Sequence, residues 1–537
     1  MSDLFRRGTL ARSPALLLAG LVLLVPSGPA HSATYFVDLA HPAASDSNPG
    51  TEALPWLTIQ HAADSLAGGD TLYVKAGTYA EQVIVERSGA PGAEIVLAAY
   101  PGHVVTIDGA TLSLPEWTGL VFVNRSNHVR VAGFEVRNAG PNGTNTGIQV
   151  EDSTDIVIAK NHTADTASSG ILVWSSRNVL IEDNEVERAM TAADASRNEC
   201  ITVGRSSQFE VRRNHVHDVI PPRGEGICLK DGSSFGSAHH NHVHDVEGVG
   251  IYIDAWGEPE APATHDIDAY ANRIHDIRGG GIVLAAEIGG TLERVRVYNN
   301  VSYSNRDLGL ELSGCCLGPN HPFNDIQIVN NSFWGNGFPD WGGGLAVGNP
   351  QITGLLIRNN ASAGNNSFEL DAESVDLGGA TIDHNLIDGW DGYPGELCGT
   401  DCQLGNPQWV DPAAGDFHLQ AGSPAIDSGS GDAAPADDLD GNVRPAGVGI
   451  DIGAHEYGAV SVPASLTPAL AVLLILSSAG LKPHLSSWSL ARACARQSGR
   501  MARQREHLGG EWVAAGGSGE LRPDRPYLPQ IRHLRRF

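Results

Sequence analysis

The chain has 537 residues, enough for a large buried core, and its 35 basic and 62 acidic side chains give a formal net charge of −27. This acidity argues against nucleic acid as a partner, because phosphate binding needs a basic face. The seven cysteines include no CxxC pairs, which argues against a structural zinc site. Their disulfide connectivity cannot be read from the spacing.

Residues 1–33 have the pattern of a secretory signal peptide. Three arginines precede an apolar run at 15–25, and the following "GPAHSA" offers small residues for cleavage. The run is too short to span a membrane comfortably. We therefore expect a protein that is secreted, or that reaches the cell surface or periplasm.

Residues 34–110 predict an N-terminal cap and the first coils of a repeat. "LTIQHAADSLAGGDTLYVKAGTY" at 57–79 predicts an amphipathic helix, a Gly-Gly-Asp turn and then a strand. The open end of a solenoid exposes unpaired strand edges, so we expect this segment to cover the first coil.

A two-part unit recurs through residues 111–400. Its first half is glycine followed by alternating apolar residues, as in "GILV" at 170, "GICL" at 226 and "GIYI" at 250. Its second half is a short strand that ends in asparagine, at 161, 184, 214, 241, 272, 299, 330, 359 and 385. A period of roughly 23 to 31 residues with such short strands predicts an all-β fold, a right-handed parallel β-helix.

Alternation along each strand assigns the core of this β-helix. The residues predicted to stack inside are Ile227, Leu229, Ile251, Ile253, Ile282 and Leu284. The recurring asparagines fit an internal ladder in which their side-chain amides hydrogen-bond from coil to coil.

The end of the chain changes character twice. Residues 401–458 predict a C-terminal segment associated with the β-helix. Residues 459–537 contain an apolar run at 466–481 and then an arginine-rich stretch. This tail is either a sorting signal that attaches the protein to the cell surface or a segment without a fold of its own.

Two stretches carry a family resemblance. They are "DSNPGTEALPWLTIQHAADSLAGGDTLYVKAGTY" near the start and "GSPAIDSG…DDLDGNVRPAGVGIDIGAHEYG" near 422–458. Together with the coils, residues 34–458 resemble secreted pectate-lyase-like right-handed parallel β-helix proteins. The resemblance implies this fold, export, and a monomer that meets a polysaccharide; it leaves the reaction open.

One outward face of the coils carries chemistry-bearing side chains. If Ile227 and Leu229 point inward, then Glu225, Cys228 and Lys230 point outward. Neighbouring coils add groups to the same columns, over a length of about 20 Å at the strand spacing. The predicted strip holds Glu199, Glu225, Lys230, Asp254, Glu287 and Glu311. It is either a solvated surface, with Lys230 and Asp254 as an ion pair, or an active site.

The strip also resembles alginate-lyase and chondroitinase-B-like lyases. Asn198 and Glu199, followed by Glu225 and Lys230, look like that family's arrangement. The resemblance implies a calcium ion held by Asn198, Glu199, Glu225 and Asp231, with Lys230 as the base. The sequence departs from it at Asp254, where the family has arginine, and at Arg223, where it has glutamate.

The sequence is compatible with three functions. The first is β-elimination on a uronic-acid polymer, with Lys230 as base. The second is glycoside hydrolysis by two carboxylates, drawn from Glu225, Asp254, Glu287 and Glu311. The third is a non-catalytic β-helix that binds glycans or has a structural role at the cell surface. For either enzyme we expect substrate contacts from Arg205, Arg223, Tyr252, Trp256 and His244.

The histidines form a second group of candidate site residues. His215 and His217, His242 and His244, and His275 recur at fixed offsets from the repeat asparagine, each pair or single residue followed by aspartate. Such columns either bind a transition metal or repeat because the coil repeats.

Overall fold

The computed structural model describes residues 32–193, 195, 199–219, 224–255, 262–287, 289–314, 322–338, 341–372 and 377–458. These residues form a parallel β-solenoid of about 10 turns, which confirms the predicted fold class. The described part of the chain contains one α-helix, Ile59–Ser65, and one 3-10 turn, Pro412–Ala414.

Three parallel sheets run along the solenoid, and each coil contributes one strand to most of them. Sheet I holds Thr34–Val37, Thr71–Val74, Ile95–Ala99, Asn127–Ala132, Thr154–Ala159, Arg177–Glu182, Ser207–Arg212, Ser234–His239, Thr264–Tyr270, Leu292–Tyr298, Phe323–Val329, Ile352–Thr353, Leu356–Arg358 and Thr381–Asp383. Sheet II holds Val83–Val85, Gly119–Asn124, Thr146–Glu151, Ile171–Trp174, Glu199–Gly204, Glu225–Lys230, Ile251–Asp254, Ile282–Ala285, Leu308–Leu312, Gly343–Val347 and Phe368–Asp371. Sheet III holds Gly77–Tyr79, Val105–Asp108, Glu135–Arg137, His162–Ala164, Glu185–Glu187, His215–His217, His242–His244, Arg273–His275, Val301–Tyr303, Ser332–Trp334, Ala361–Ala363, Leu386–Ile387 and Gln403–Leu404.

The core lies between these sheets and follows the predicted alternation. Ile227, Ile251 and Ile282 occupy one register column, and each is 0% exposed. Leu229, Ile253 and Leu284 form the next inward column and are equally buried. The apolar alternation of the repeat therefore fixes which face of each strand is buried, because a one-residue slip would turn the whole set outward.

An asparagine ladder runs inside the solenoid, but three of its predicted members were wrong. Each ladder amide except that of Asn385, the last member, donates to the side-chain oxygen of the asparagine in the next coil at 2.9–3.1 Å. The members are Asn161, Asn184, Asn214, Asn241, Asn272, Asn300, Asn331, Asn360 and Asn385.

The corrected positions are the asparagine pairs at 299/300, 330/331 and 359/360. Asn299, Asn330 and Asn359 have φ values of 54°, 55° and 57°, in the left-handed region. Lys160 and Arg213 occupy the same turn position in earlier coils, with φ of 56° and 51°. In each pair the first asparagine therefore forms the turn, and the second points into the ladder.

The N-terminal end of the described solenoid is covered. The helix Ile59–Ser65 follows Thr58, whose hydroxyl accepts from the backbone N–H of His61, and it buries Ile59 and Ala62 as predicted for the cap. After the last coils, an antiparallel hairpin of Trp409–Asp411 and Asp416–Leu419 packs on the outer face of sheet III, where Phe417 contacts Tyr303.

The segment after this hairpin lies against the outer side of the later coils. Arg444 has a side chain 0% exposed and pairs with Glu456 at 2.6 Å. Its guanidinium also donates to Asn299 at 3.1 Å, which ties the segment to a coil turn. A disulfide joins Cys398 and Cys402.

The predicted signal peptide at 1–33 lies almost entirely outside the described residues, as do the tail from 459 onward and the adjacent Cys315 and Cys316. Among the residues that the structure does describe, no helix is long and apolar enough to cross a membrane.

Candidate functional site

Three neighbouring strands of sheet II position the candidate site. They are Glu199–Gly204, Glu225–Lys230 and Ile251–Asp254. Parallel register aligns Glu199 with Glu225 and Cys228 with Tyr252. The side chains that face away from the core on these strands therefore gather in one place. We call this group the carboxylate cluster: Glu199, Glu225, Lys230, Tyr252, Asp254 and Glu287.

The carboxylate cluster is largely buried, whereas the sequence predicted an exposed strip. The side chains of Glu199 and Lys230 are 4% and 15% exposed. Tyr252 and Asp254 are buried as well. The physical reason is a second apolar layer outside the core, formed by Cys228, Tyr252, Val283 and Ala285. Charged groups beside this layer are shielded from water, so their mutual interactions are stronger than on an open surface.

Lys230 forms an ion pair with Glu199, one coil earlier. The ion pair with Asp254 that a solvated surface would have predicted is not present between these described residues. The second oxygen of Glu199 accepts a hydrogen bond from the Thr202 hydroxyl at 2.8 Å. Burial lowers the pKa of Lys230, but the attraction and hydrogen bond of Glu199, together with smaller contributions from its neighbours, outweigh it, and the net pKa lies above the ordinary value. Lys230 is therefore an ammonium.

Two carboxyl groups of the cluster have buried oxygens without a hydrogen-bond partner. These are Oε2 of Glu225 and Oδ1 of Asp254. Burial, and then repulsion from Glu199, raises the pKa of Glu225 well above its ordinary value. Burial, and then repulsion from Glu287, does the same to the pKa of Asp254. Both groups therefore hold their protons more tightly than free carboxylic acids.

At one position the cluster brings together groups that could hold a hard divalent cation. Oxygens of Glu199 and Glu225 and the Cys228 sulfur all lie within 4.8 Å of one another. Carboxylate oxygens are the ligands that calcium prefers, and Oε2 of Glu225 has no hydrogen-bond partner, but both oxygens of Glu199 are already engaged by Lys230 and Thr202. Burial raises the pKa of the Cys228 thiol, so this sulfur stays protonated and is a poor ligand. Of the predicted calcium ligands, Asn198 lies outside the described residues, and Asp231 interacts electrostatically with Asp254.

The other predicted catalytic residues differ in their distance from Lys230. Glu287 accepts a hydrogen bond from the Tyr252 hydroxyl and so belongs to the cluster. Glu311 occupies the outward column of Tyr252 but lies two coils further, beyond Val283, which is about 10 Å at the strand spacing. Burial raises the pKa of Glu311, and its other influences come from Ser313 and Asp307, outside the carboxylate cluster.

Some of the predicted substrate contacts also lie near the carboxylate cluster and others do not. Arg205 follows the strand Glu199–Gly204, and its guanidinium lies 5.4 Å from the centre of the Trp174 ring. His244 lies on sheet III, so the structure does not bring it to the cluster. Arg223 and Trp256 lie outside the described residues.

Trp174 is a site residue that sequence reasoning missed. Its ring covers Gly204, where an added Cβ would come within 2.1 Å of a ring atom. Gly204 pairs in register with Lys230, so the half-buried ring borders the lysine's coil. The signal in the sequence was Gly204, a glycine at the strand position that Lys230 occupies in the next coil.

Comparison with known proteins agrees with this fold. Residues 36–199 match the family described as "Pel9A-like, right handed beta helix region". The right-handed parallel β-helix expected from the repeat is thereby confirmed. The match covers the N-terminal cap and the coils up to Glu199.

Individual relatives are similar over different lengths. The uncharacterized protein YwoF of Bacillus subtilis is 25% identical over 378 residues, which cover 64% of this chain and 78% of that one. Pectate lyase PEL9 of Emericella nidulans is 40% identical over 73 residues, 13% of this chain and 18% of that enzyme. The crystal structure of pectate lyase Pel9A superposes with a TM-score of 0.49 and 16% identity, over 80% of this chain and 97% of that one.

Proposed function

We propose that this protein is an exported polysaccharide lyase that cleaves a uronic-acid-containing polymer by β-elimination, acting as a monomer. The observation that carries the proposal is the buried Lys230–Glu199 ion pair beside the unpartnered oxygen of Glu225. This arrangement combines a lysine at the centre of the site with carboxylates for a cation. The similarity of residues 36–199 to the Pel9A-like family, and of a short segment to a pectate lyase, supports the same substrate class.

The elimination needs three events. A base removes the ring proton next to the uronate carboxylate, the bond to the departing sugar oxygen breaks, and that oxygen takes up a proton. Lys230 is the base, once its amine has lost its own proton and its contact with Glu199. Asp254 is the candidate donor of the final proton, because its raised pKa keeps it protonated, whereas Glu225 would be ionised as a calcium ligand. A calcium ion held by Glu199 and Glu225 would neutralise the substrate carboxylate and make the neighbouring proton more acidic.

The groups that border Lys230 would position the substrate. The half-buried Trp174 ring offers a flat apolar surface on which a sugar ring can stack. Arg205 lies over this ring and adds a positive charge for a uronate of the polymer. Together they would align the chain along the outer face of sheet II.

One observation favours glycoside hydrolysis as a second candidate. Carboxyl oxygens of Glu199 and Glu225 lie within 4.8 Å of each other. Carboxyl groups about 5 Å apart are typical of retaining glycosidases, in which one group is protonated and the other is a nucleophile. The raised pKa of Glu225 suits the acid of such a pair.

Absorbance of the unsaturated sugar product tests the proposal. The full chain is incubated with pectate, alginate and glycosaminoglycans, in calcium and in chelator. We expect a rise with a uronate polymer that requires calcium and disappears in Lys230→Gln. Lys160→Gln is the matched control, because Lys160 is exposed in a turn of sheet I.

The other outcomes identify the alternatives. Release of reducing ends without absorbance, lost in Glu225→Gln, would replace the lyase by a hydrolase. Glycan binding without product in either assay, unchanged in Lys230→Gln, would leave a non-catalytic binding protein.

A further inference from the structure

The histidines of sheet III form a column that the proposed reaction does not use. Register aligns His215 with His242, and His244 with His275, on strands of successive coils. The rings of His217, His244 and His275 are nearly parallel, with centroids 5.3 Å and 5.0 Å apart. His215 and His242 stack in the adjacent column at 5.0 Å.

Aspartates hydrogen-bond to Nδ1 of three of these rings, those of His217, His244 and His275. Asp245 accepts from Nδ1 of His244 at 2.7 Å, and Asp276 accepts from Nδ1 of His275 at 2.7 Å. A ring that donates through Nδ1 in its neutral form has its lone pair on Nε2. This carboxylate–histidine arrangement is the one that orients metal-ligating histidines in proteins.

The Nε2 atoms of His244 and His275 are hydrogen-bonded to other histidines. Nε2 of His244 lies 2.8 Å from Nε2 of His215, and Nε2 of His275 lies 2.8 Å from Nε2 of His242. One nitrogen each from His215, His242 and His244 lie within 4.8 Å of one another. Ligands of a tetrahedral Zn²⁺ are about 3.3 Å apart at Zn–N bonds of about 2.0 Å, so small ring rotations would bring the three nitrogens to an ion.

Two of the three imidazole rings of this group carry no charge. Burial, followed by the neighbouring histidines His244 and His275, lowers the pKa of His242 to about 4. Burial, followed by His217, lowers the pKa of His215. These two rings are therefore neutral at pH 7 and keep lone pairs for a cation.

The column is accessible and separate from the carboxylate cluster. His215, His242 and His244 are half-buried, and they lie on the outer face of sheet III rather than sheet II. On the C-terminal side, His275 stacks on Tyr303 at 4.8 Å, and Tyr303 contacts Phe417 of the C-terminal hairpin. The C-terminal segment thus closes one end of the column.

We infer that His215, His242 and His244 form a binding site for a divalent transition metal of the Zn²⁺ class. Imidazole nitrogens select zinc, nickel and copper over calcium, which takes oxygen ligands. The site would link two successive coils. It is independent of the chemistry proposed at Lys230.

Metal titration of the full chain, prepared without a histidine tag and freed of metal by chelator, tests the inference. We expect one equivalent of Zn²⁺ per chain by calorimetry, undiminished by millimolar calcium, and a tetrahedral visible spectrum with Co²⁺. The double variant His242→Ala/His244→Ala should lose this equivalent. His162→Ala is the matched control, because His162 lies on sheet III two coils earlier and pairs with Glu187 at 3.0 Å.

A milder variant guards against loss of folding. Asp245→Asn keeps all three ligands but removes the carboxylate that orients His244, and should weaken Zn²⁺ binding about 10- to 100-fold. The inference is overturned if wild type binds no Zn²⁺ at about 100 µM. It is equally overturned if the double variant retains the wild-type stoichiometry and affinity, since the metal would then bind elsewhere.

Discussion

The Lys230–Glu199 ion pair should be a large term in the stability of the middle coils. Lys230→Met keeps most of the side-chain volume but leaves the carboxylate of Glu199, whose side chain is 4% exposed, without its cationic partner. Breaking a buried pair costs about 3–5 kcal/mol. The Thr202 hydroxyl still donates to Glu199 at 2.8 Å, and Lys230 is itself 15% exposed, so the lower end applies. We expect a loss of about 3 kcal/mol in the free energy of unfolding.

Urea denaturation at pH 7, followed by far-ultraviolet circular dichroism, measures this loss. Lys160→Met is the control, because Lys160 is exposed in a turn and its charge should contribute less than about 1 kcal/mol. The double variant Glu199→Gln/Lys230→Met removes both charges and should recover at least about 2 kcal/mol. The reasoning is refuted if Lys230→Met costs no more than Lys160→Met, or if the double variant recovers nothing.

Three further predictions concern other parts of the molecule. Asn241→Ala removes hydrogen bonds to the Val211 carbonyl and to Asn272 and leaves these buried groups unpaired. It should lower the free energy of unfolding in urea by about 3 kcal/mol, whereas Asn127→Ala, at an exposed position, should leave it unchanged. Burial raises the pKa of Glu369 to about 7, so the folded protein keeps this proton to a higher pH than the unfolded chain does. The free energy of unfolding should therefore fall by on the order of 3 kcal/mol as pH rises from about 4.5 to about 7. Glu369→Gln should flatten this decline in thermal unfolding measured across that range; an unchanged decline would contradict the cause. Trp174→Ala should raise KM several-fold on the active polymer with little change in kcat, since stacking positions the substrate without touching the reacting proton; an equal fall in kcat would argue against this role.

The sequence by itself determined the coil architecture. A glycine followed by alternating apolar residues fixes which side of each strand is buried, and the recurring asparagine fixes the turn between sheets I and III. Both signals recur in each coil, because every coil must pair with its neighbours in the same register. Ile227, Leu229 and their equivalents could therefore be assigned to the core from the pattern alone.

Only the tertiary structure decided how the outward side chains interact. Lys230 pairs with Glu199, which is 31 residues away, rather than with Asp254 on the other neighbouring coil. Both partners lie one coil from Lys230, so the repeat cannot distinguish them. The outer apolar layer around Tyr252 and the Trp174 ring over Gly204 likewise depend on side-chain rotamers. Register places such groups near each other, but packing selects their partners and removes the water, and no single coil encodes that choice.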